Sequence, residues 1–165
     1  MKKEEAIAAC LTDGQARLYR LAYSYVKNEA DALDAVQAAA CRALEKPEAL
    51  RDAENPFPWL CRITANAAMD ILRQRSRTVP LDQWQDPGAE DPPPPDDSLA
   101  RRVEALPPEV GLVIRLRFYE ELSLKEISAA TGANLSTVKT RLYTGLKKLR
   151  ISMEGDEDGQ LERTV

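Results

Sequence analysis

The sequence predicts an all-α protein with two small helical domains joined by a linker rich in proline and acids. Apolar residues recur every three or four positions on both sides of the linker, and no stretch alternates as a half-buried strand does. The linker holds six prolines and six acids, and the run from Pro92 to Pro95 favours an extended spacer. The expected segments are a first domain at 1–77, the linker at 78–98, a second domain at 99–153 and an acidic tail at 154–165.

Three helices are expected in the first domain, near 4–26, 29–45 and 57–76. Pro47, Pro56 and Pro58 lie in the break between the second and third helices, and helix interiors exclude proline. Asn55 is the expected cap of the third helix, with Pro56 in its first turn. The expected core-facing residues are Leu33, Val36, Ala40 and Leu44 in the second helix, and Leu60, Ile63, Ala67 and Ile71 in the third.

Four shorter helices are expected in the second domain, near 99–105, 108–120, 124–131 and 135–150. Ser123 and Glu126 have the spacing of a capping box, and Gly132 suits a left-handed helix cap. Two short helices joined by a tight glycine turn, the second of them basic, predict a helix-turn-helix.

Charge is distributed unevenly along the chain, whose net charge is −4. The first domain carries +1 and the second +5, whereas the linker carries −6 and the tail −4. The acidity of the whole chain therefore does not argue against nucleic-acid binding by the second domain.

The last predicted helix divides into an apolar stripe, Val138, Leu142, Leu146 and Leu149, and a hydroxyl-rich basic face. No acid occurs between Asn134 and Arg150. Short hydroxyl side chains allow close approach to a groove floor, and lysine and arginine reach phosphates, so the face predicts DNA contact. The alternative is a basic face that is solvated or binds a protein. The face comprises Ser136, Thr140, Tyr143, Thr144 and Lys147, flanked by Thr137, Arg141 and Lys148, with Lys139 also among the expected DNA contacts.

Two faces of the first domain carry further candidates. On the third helix, Arg62, Asn66, Met69, Arg73 and Arg77 share one side, with Asp70 and Arg75 beside them. Such a stripe suits a strand of nucleic acid and equally suits a solvated surface. On the second helix, the outward acids and bases indicate a protein partner; they are Asp31, Asp34, Arg42 and Glu45.

Motif-level similarity adds to this interpretation. Two runs, LYRLAYSYVKNEADALDAVQ and NPFPWLCRITANAAMDILRQRSR, resemble the promoter-melting domain of the extracytoplasmic-function group of sigma factors. A third run, LPPEVGLVIRLRFYEELSLKEISAATGANLSTVKTRLYTGLKKLR, resembles the upstream-element domain of the same group. The runs occur in the family's order, with a linker between them.

The resemblance implies a sigma factor that binds core RNA polymerase and directs promoter-specific initiation, with an anti-sigma protein as a further partner. Loop 46–56 and the helix near Trp59 would melt the minus-ten element, while the acidic linker would enter a basic channel of the polymerase. The implied polymerase contacts are Asp34 and Gln37, with the neighbouring Asp31 and Arg42. The implied minus-ten contacts are Trp59, Arg62, Asn66, Asp70, Arg73, Arg75 and Arg77. The implied contacts to the minus-thirty-five element are Ser136, Thr137, Lys139, Thr140, Arg141, Thr144, Lys147 and Lys148.

Two departures from the family pattern stand out. Ala38 and Ala40 replace an acid and a large aromatic that members commonly have, which affects the polymerase contacts. Thr144-Gly145 replaces a frequent arginine-alanine pair. Gly145 either permits close packing or weakens the last turns of its helix, since glycine costs about 1 kcal/mol there relative to alanine.

Other functions are disfavoured. The chain has no histidine, no phosphate-binding glycine loop and no cluster of metal ligands, so no enzyme, cofactor or metal site is expected. Cys10, Cys41 and Cys61 are expected to be small buried hydrophobes. With neither a signal peptide nor a long apolar run, a cytoplasmic protein is expected. The open alternatives are a free-standing helix-turn-helix regulator and a polymerase-binding adaptor that does not support initiation.

Overall fold

The computed structural model describes residues 2–77 and 98–157, so all of the predicted linker except Ser98, and most of the acidic tail, lie outside the described residues. The described residues are helical and contain no strand, which confirms the all-α prediction for them. They fall into two units on either side of the linker. The helices of the first unit are α1 (Lys3–Asp13), α2 (Gln15–Val26), α3 (Glu29–Glu45), a 3-10 turn (Pro47–Ala49) and α4 (Phe57–Arg77). Those of the second unit are α5 (Ser98–Glu104), α6 (Pro108–Phe118), α7 (Leu124–Thr131) and α8 (Leu135–Glu157).

In the first unit, α2, α3 and α4 pack against one another, and α1 contacts α2, α3 and the 3-10 turn. Leu18 and Leu21 of α2 and Leu60 of α4 are fully buried at the centre of this bundle. Ile7 brings α1 into the same core. Each buried leucine contributes about 1.5–3 kcal/mol, which is how so small a unit offsets the entropy of ordering its chain.

A single helix predicted near 4–26 is wrong, because the helix breaks at Gly14 into α1 and α2. Gly14 has φ −103° and ψ 12°, outside the helical region. A Cβ atom at this position would lie 3.0 Å from Cε1 of Phe57, the first residue of α4. The guanidinium of Arg17 lies 4.1 Å from the centroid of the same ring. The chain therefore turns where the Phe57 ring enters the bundle.

The predicted core face of α3 is also wrong, by one residue of register. The buried residues are four alanines, Ala32, Ala35, Ala39 and Ala43, whereas Leu33 and Leu44 are 47% and 44% exposed. The other two predicted core residues, Val36 and Ala40, are half-buried. The small alanine side chains let α3 lie close to α2 and α4. This close packing determines which face of α3 is buried, although burying the leucines would remove more apolar area from water.

The cap and core face of α4 need smaller corrections. The Pro56 carbonyl accepts the first helical hydrogen bond, from the Leu60 amide at 3.0 Å, so Pro56 and not Asn55 occupies the cap position. Of the predicted stripe, Leu60 and Ala67 are buried while Ile63 and Ile71 are half-buried. Because α4 packs on both α2 and α3, its buried arc is wider than one stripe and also includes Cys61, Thr64, Ala65 and Ala68.

The second unit contains the predicted helix-turn-helix. Ser123 Oγ accepts a hydrogen bond from the Glu126 amide at 3.0 Å, and Glu126 Oε1 accepts one from the Ser123 amide at 2.8 Å, which confirms the capping box. Gly132 has φ 79° and ends α7 in the left-handed conformation, as predicted. α6 and α7 both pack on α8, and α8 extends beyond Arg150 to Glu157.

Gly145 of α8 permits close packing. It is buried against α6, where an added Cβ would lie 2.8 Å from Cγ1 and Cδ1 of Ile114 and 2.9 Å from Cγ1 of Val110. The predicted apolar stripe holds at Val138, Leu142 and Leu149, but Leu146 is 39% exposed. Because α6 meets α8 at Gly145, the neighbouring leucine is turned away from the core.

The cysteines differ from one another. Cys61 is buried as predicted, but Cys10 is half-buried and Cys41 is exposed, so the expectation of three buried cysteines is wrong for those two. Within the part of the chain that the structure describes, no helix is long and apolar enough to cross a membrane.

Candidate nucleic-acid and partner interfaces

The outer face of α8 is built from the residues that the sequence singled out. Asn134 Oδ1 accepts a hydrogen bond from the Thr137 amide at 2.8 Å and so caps the start of the helix. Tyr143 is 65% exposed and lies among the basic residues of this face. Of the predicted DNA contacts, the exposed ones are Ser136, Lys139, Thr140, Lys147 and Lys148, and the half-buried ones are Thr137, Arg141 and Thr144. The helix therefore presents a continuous polar and basic surface.

One acid does reach this surface, from another helix. Oε2 of Glu109, in the first turn of α6, lies 3.0 Å from Nη2 of Arg141. Absence of acids from the α8 sequence therefore does not mean absence of negative charge beside it.

In the first unit, one side of α4 carries the predicted strand-contacting stripe. Arg62 and Asn66 are half-buried at helical spacing, and Trp59 is half-buried in the first turn. Asp70 forms ion pairs with Arg73 on its own helix and with Arg42 Nη2 on α3, the latter at 3.0 Å. Asp70 thus joins a predicted DNA contact to a predicted polymerase contact. Arg77 is the last residue of α4, and its side chain is not among those that the structure describes.

Arg75 holds two helix ends together. Its Nη1 donates a hydrogen bond to the Val26 carbonyl at 3.1 Å and lies 3.3 Å from Asp31 Oδ2. Asn28, the cap of α3, donates through Nδ2 to the same Asp31 carboxylate at 3.1 Å. The two predicted site residues Arg75 and Asp31 therefore contact each other, and both fasten α4 to the turn between α2 and α3.

The outer face of α3 has a composition that the sequence analysis did not foresee. Asp34 and Gln37, two predicted polymerase contacts, are exposed. Leu33, Cys41 and Leu44 are exposed along the same side, at spacings of a helical stripe with Gln37. The recurring alanines at 32, 35, 39 and 43 carried the signal that could have revealed this face, because they have the same periodicity as the leucines. Exposed leucines around polar residues are typical of a protein-binding surface.

The outer faces of α4 and α8 together define the class of protein. A helical unit with an arginine- and asparagine-bearing helix, followed by a helix-turn-helix unit with a basic outer helix, is a two-unit DNA-binding protein. Within the described residues, no group of three or more metal-ligating side chains is arranged to hold a metal ion.

Comparisons with known proteins identify the family. The family model for sigma-70 region 2 matches residues 12–78, and that for sigma-70 region 4 matches residues 96–149. The RNA polymerase sigma factor SigV of Bacillus subtilis is 39% identical over 165 residues, covering 95% of this chain and 99% of SigV. The ECF RNA polymerase sigma factor SigE of Mycolicibacterium smegmatis is 36% identical, covering 81% of this chain and 56% of that protein.

A solved structure shares the fold. The sigma factor RpoE of Bartonella quintana, crystallised in complex with the anti-sigma factor NepR, matches with a TM-score of 0.65 at 20% identity, covering 89% of this chain and 96% of that chain. The chain belongs to the ECF group of RNA polymerase sigma factors. It is a sigma factor that binds core RNA polymerase and directs promoter-specific initiation, and its family consists of transcription factors and not of enzymes.

Proposed function

We propose that the second unit recognises the minus-thirty-five element by placing α8 in the major groove. The observation that carries this assignment is the outer face of α8, where the basic and hydroxyl side chains from Ser136 to Lys148 are exposed or half-buried with no acid of α8 among them. The lysines would neutralise phosphates, while the threonine hydroxyls and Arg141 would meet base edges. The domain bounds we propose are 1–77 and 99–153.

The first unit is proposed to melt the minus-ten element and hold its unpaired strand. Asn66 offers an amide that can pair with a base edge, and Arg62 lies one turn away on the same face. Trp59 offers a stacking surface in the first turn of α4. Arg73 would contact phosphate, with its guanidinium oriented by Asp70. Arg75 and Asp70 are then proposed to act chiefly through other residues, because both already hold ion pairs within the unit.

Core polymerase is proposed to dock on the outer face of α3. Asp34 and Gln37 are exposed there, with Leu33 and Leu44 available for burial in an interface. Arg42 and Asp31 contribute less directly, since Arg42 pairs with Asp70 and Asp31 pairs with Arg75.

Regulation by an anti-sigma protein is proposed from the kinship with a sigma factor that was crystallised with one. A protein that covers the polymerase-docking face or a DNA-binding face would keep the sigma factor inactive. The factor is proposed to work in the cytoplasm, where the polymerase transcribes, and to have no catalytic activity of its own.

Reconstituted transcription tests the assignment. The full chain is combined with core polymerase on promoters identified from transcripts that rise when the factor is overexpressed. Arg141→Ala should reduce protection of the upstream element. Asn66→Ala should keep that protection and reduce permanganate reactivity at the melted bases. The matched controls are Arg101→Ala, an exposed arginine on α5, and Gln15→Ala, an exposed amide on α2.

Two outcomes would contradict the proposal. Equal melting by Asn66→Ala and the unaltered chain would remove Asn66 from the site. Tight, specific binding of the upstream element in a gel shift without polymerase would favour a free-standing regulator, which ordinarily binds as a dimer to a palindrome.

A further inference from the structure

The ion pair between Glu109 and Arg141 is the point at which α6 meets the edge of the proposed DNA-binding face. Oε2 of Glu109 lies 3.0 Å from Nη2 of Arg141, with the two side chains 71% and 28% exposed. Thr137, Arg141 and Thr144 follow one another at spacings of four and three and are all half-buried, so they form one edge of the face. Glu109 is therefore an acid at the border of a surface proposed to meet phosphates.

Folding stability does not explain why the Glu109 carboxylate contacts Arg141. An ion pair with one partner this exposed adds little to stability, because water and salt screen it. A carboxylate in the first turn of α6 interacts favourably with the helix dipole, but any orientation of the side chain would achieve this. The carboxylate also opposes phosphate binding, which depends on positive charge. Its contact with Arg141 therefore has a cost in DNA affinity.

Arginine geometry indicates what the contact achieves. The guanidinium is planar and carries five N–H donors in a fixed fork, so fixing one edge orients the others. The contact with Glu109 engages Nη2 of Arg141 and leaves its other N–H donors for DNA, on the edge of the face that also carries Thr137 and Thr144. A fixed fork can donate two hydrogen bonds to O6 and N7 of guanine, whereas a mobile arginine settles on the nearest phosphate.

We propose that Glu109 is a positioning residue that holds Arg141 for base recognition in the upstream element. The inference rests on the proposed role of α8. Glu109 lowers affinity for DNA of any sequence and raises discrimination at the base pairs that Arg141 meets. These opposite effects separate positioning from two simpler roles. A residue needed only for folding would raise both the affinity for DNA and the discrimination between bases. A residue that only repels phosphate would lower the affinity without changing the base preference.

A promoter library measures both quantities. Holoenzyme made from core polymerase and the full chain selects active promoters from a pool in which the upstream element is randomised, and sequencing gives the base preference at each position. Binding to a duplex without a promoter, over a range of salt concentrations, gives the non-specific affinity. The variants are Glu109→Gln, Glu109→Asp and Arg141→Ala. Glu121→Gln is the matched control, since it removes the same charge from an exposed turn residue after α6.

Glu109→Gln is expected to reduce the preference roughly threefold to tenfold at the positions that Arg141→Ala also affects, and nowhere else. Its non-specific affinity should rise with a salt slope steeper by up to about 1. Glu109→Asp keeps the charge and should keep most of the preference. Glu121→Gln should leave the preference unchanged. All four variants should melt within about 3 °C of the unaltered chain, because each substituted side chain is largely exposed or can be removed without opening the core.

Three outcomes would overturn the inference. The first is an unchanged base preference in Glu109→Gln while Arg141→Ala flattens it. The second is a uniform change at every position. The third is a Glu109→Gln chain that loses specific and non-specific binding together and melts early, with Glu109→Asp failing in the same way. If Arg141→Ala itself leaves the preference intact, the proposed role of α8 at this residue is wrong, and the positioning role falls with it.

Discussion

Two glycines of the second unit are required for different physical reasons. Gly132 adopts φ 79° in open space, with no atom within 4 Å of an added Cβ, so only its backbone conformation demands glycine. Gly145 has the opposite requirement, because it lies within a regular helix and an added Cβ would contact Ile114 and Val110. The sequence alone makes the first requirement visible through the helix-cap pattern, whereas the second depends on a neighbour that is distant in sequence.

Gly145→Ala is expected to destabilise the chain by about 1 kcal/mol. Overpacking against buried Ile114 costs about 1–3 kcal/mol, and the better helix propensity of alanine returns about 1 kcal/mol of it. Thermal unfolding measures the net effect. Thr144→Ala is the control, since it raises helix propensity at the adjacent half-buried position and adds no atom that could clash. A Gly145→Ala chain more stable than the unaltered one would show that the contact with α6 is loose.

Gly132→Ala should cost about 1–2 kcal/mol through the left-handed conformation alone. Gly132→Asn should recover part of that loss, because asparagine tolerates this conformation better than alanine. Chemical denaturation of both variants checks the order. Equal stability of the alanine variant and the unaltered chain would mean that the turn between α7 and α8 relaxes without cost.

The three thiols should react with an alkylating agent in the order Cys41, Cys10, Cys61. Burial raises the pKa of the Cys10 thiol above its usual value, and the Asp13 carboxylate raises it further, while Arg17 lowers it. Less of Cys10 is therefore thiolate, the reactive form, at neutral pH. Cys61 is buried and should react only when the unit opens, whereas Cys41 is exposed. Mass spectrometry of peptides after timed alkylation gives the order, and early modification of Cys61 would indicate that α4 is loosely packed.

At the scale of the helix, α3 separates what serves folding from what serves binding. Its four alanines face the bundle and its leucines face outward. Leu44→Glu should therefore leave the unfolding free energy within about 0.5 kcal/mol of the unaltered value. Core polymerase binding should fall at least about tenfold, because burial of a leucine in an interface contributes about 1.5–3 kcal/mol. Ala8→Glu, at an exposed position of α1, adds the same charge elsewhere as a control.

A different result for Leu44→Glu would support the core face of α3 that the sequence predicted. If Leu44→Glu unfolds the first unit while Ala39→Leu is tolerated, the leucines and not the alanines form the core of α3. If Leu44→Glu changes neither stability nor polymerase binding, the docking surface lies elsewhere.

The elements also show how far the sequence alone could go. Helices and the capping box are local features, set by periodicity and by residues three or four apart, and the sequence predicted them correctly around Ser123 and Gly132. The break at Gly14 and the face of α3 depend on what packs against them, namely the Phe57 ring and the neighbouring helices. The candidate site divides in the same way. The exposure of α8 followed from its pattern, but the contact of Arg141 with Glu109 joins residues on different helices.

On the scale of the whole chain, the uneven distribution of charge favours binding of promoter DNA by both units together. The second domain has a net charge of +5, whereas the linker has −6 and the tail −4. Each unit is small and has only a modest net charge, so either one alone should bind DNA weakly. Once both units are mounted on the polymerase, each binds at the effective concentration set by the other.

Simultaneous binding makes a quantitative prediction for the double variant of Arg141→Ala and Asn66→Ala. The two residues belong to different units, so their effects on the free energy of promoter binding should add to within about 0.5 kcal/mol. Equilibrium binding of holoenzyme to a cognate promoter, measured for the unaltered chain, both single variants and the double variant, gives the coupling energy. If only one unit engaged the promoter at a time, the other unit would mask each single loss, and the double variant would lose far more than the sum of the two single losses. Additive losses would therefore establish that the two units bind the two promoter elements at the same time. Each substitution can show its full loss of binding free energy only when both contacts are needed in the bound state.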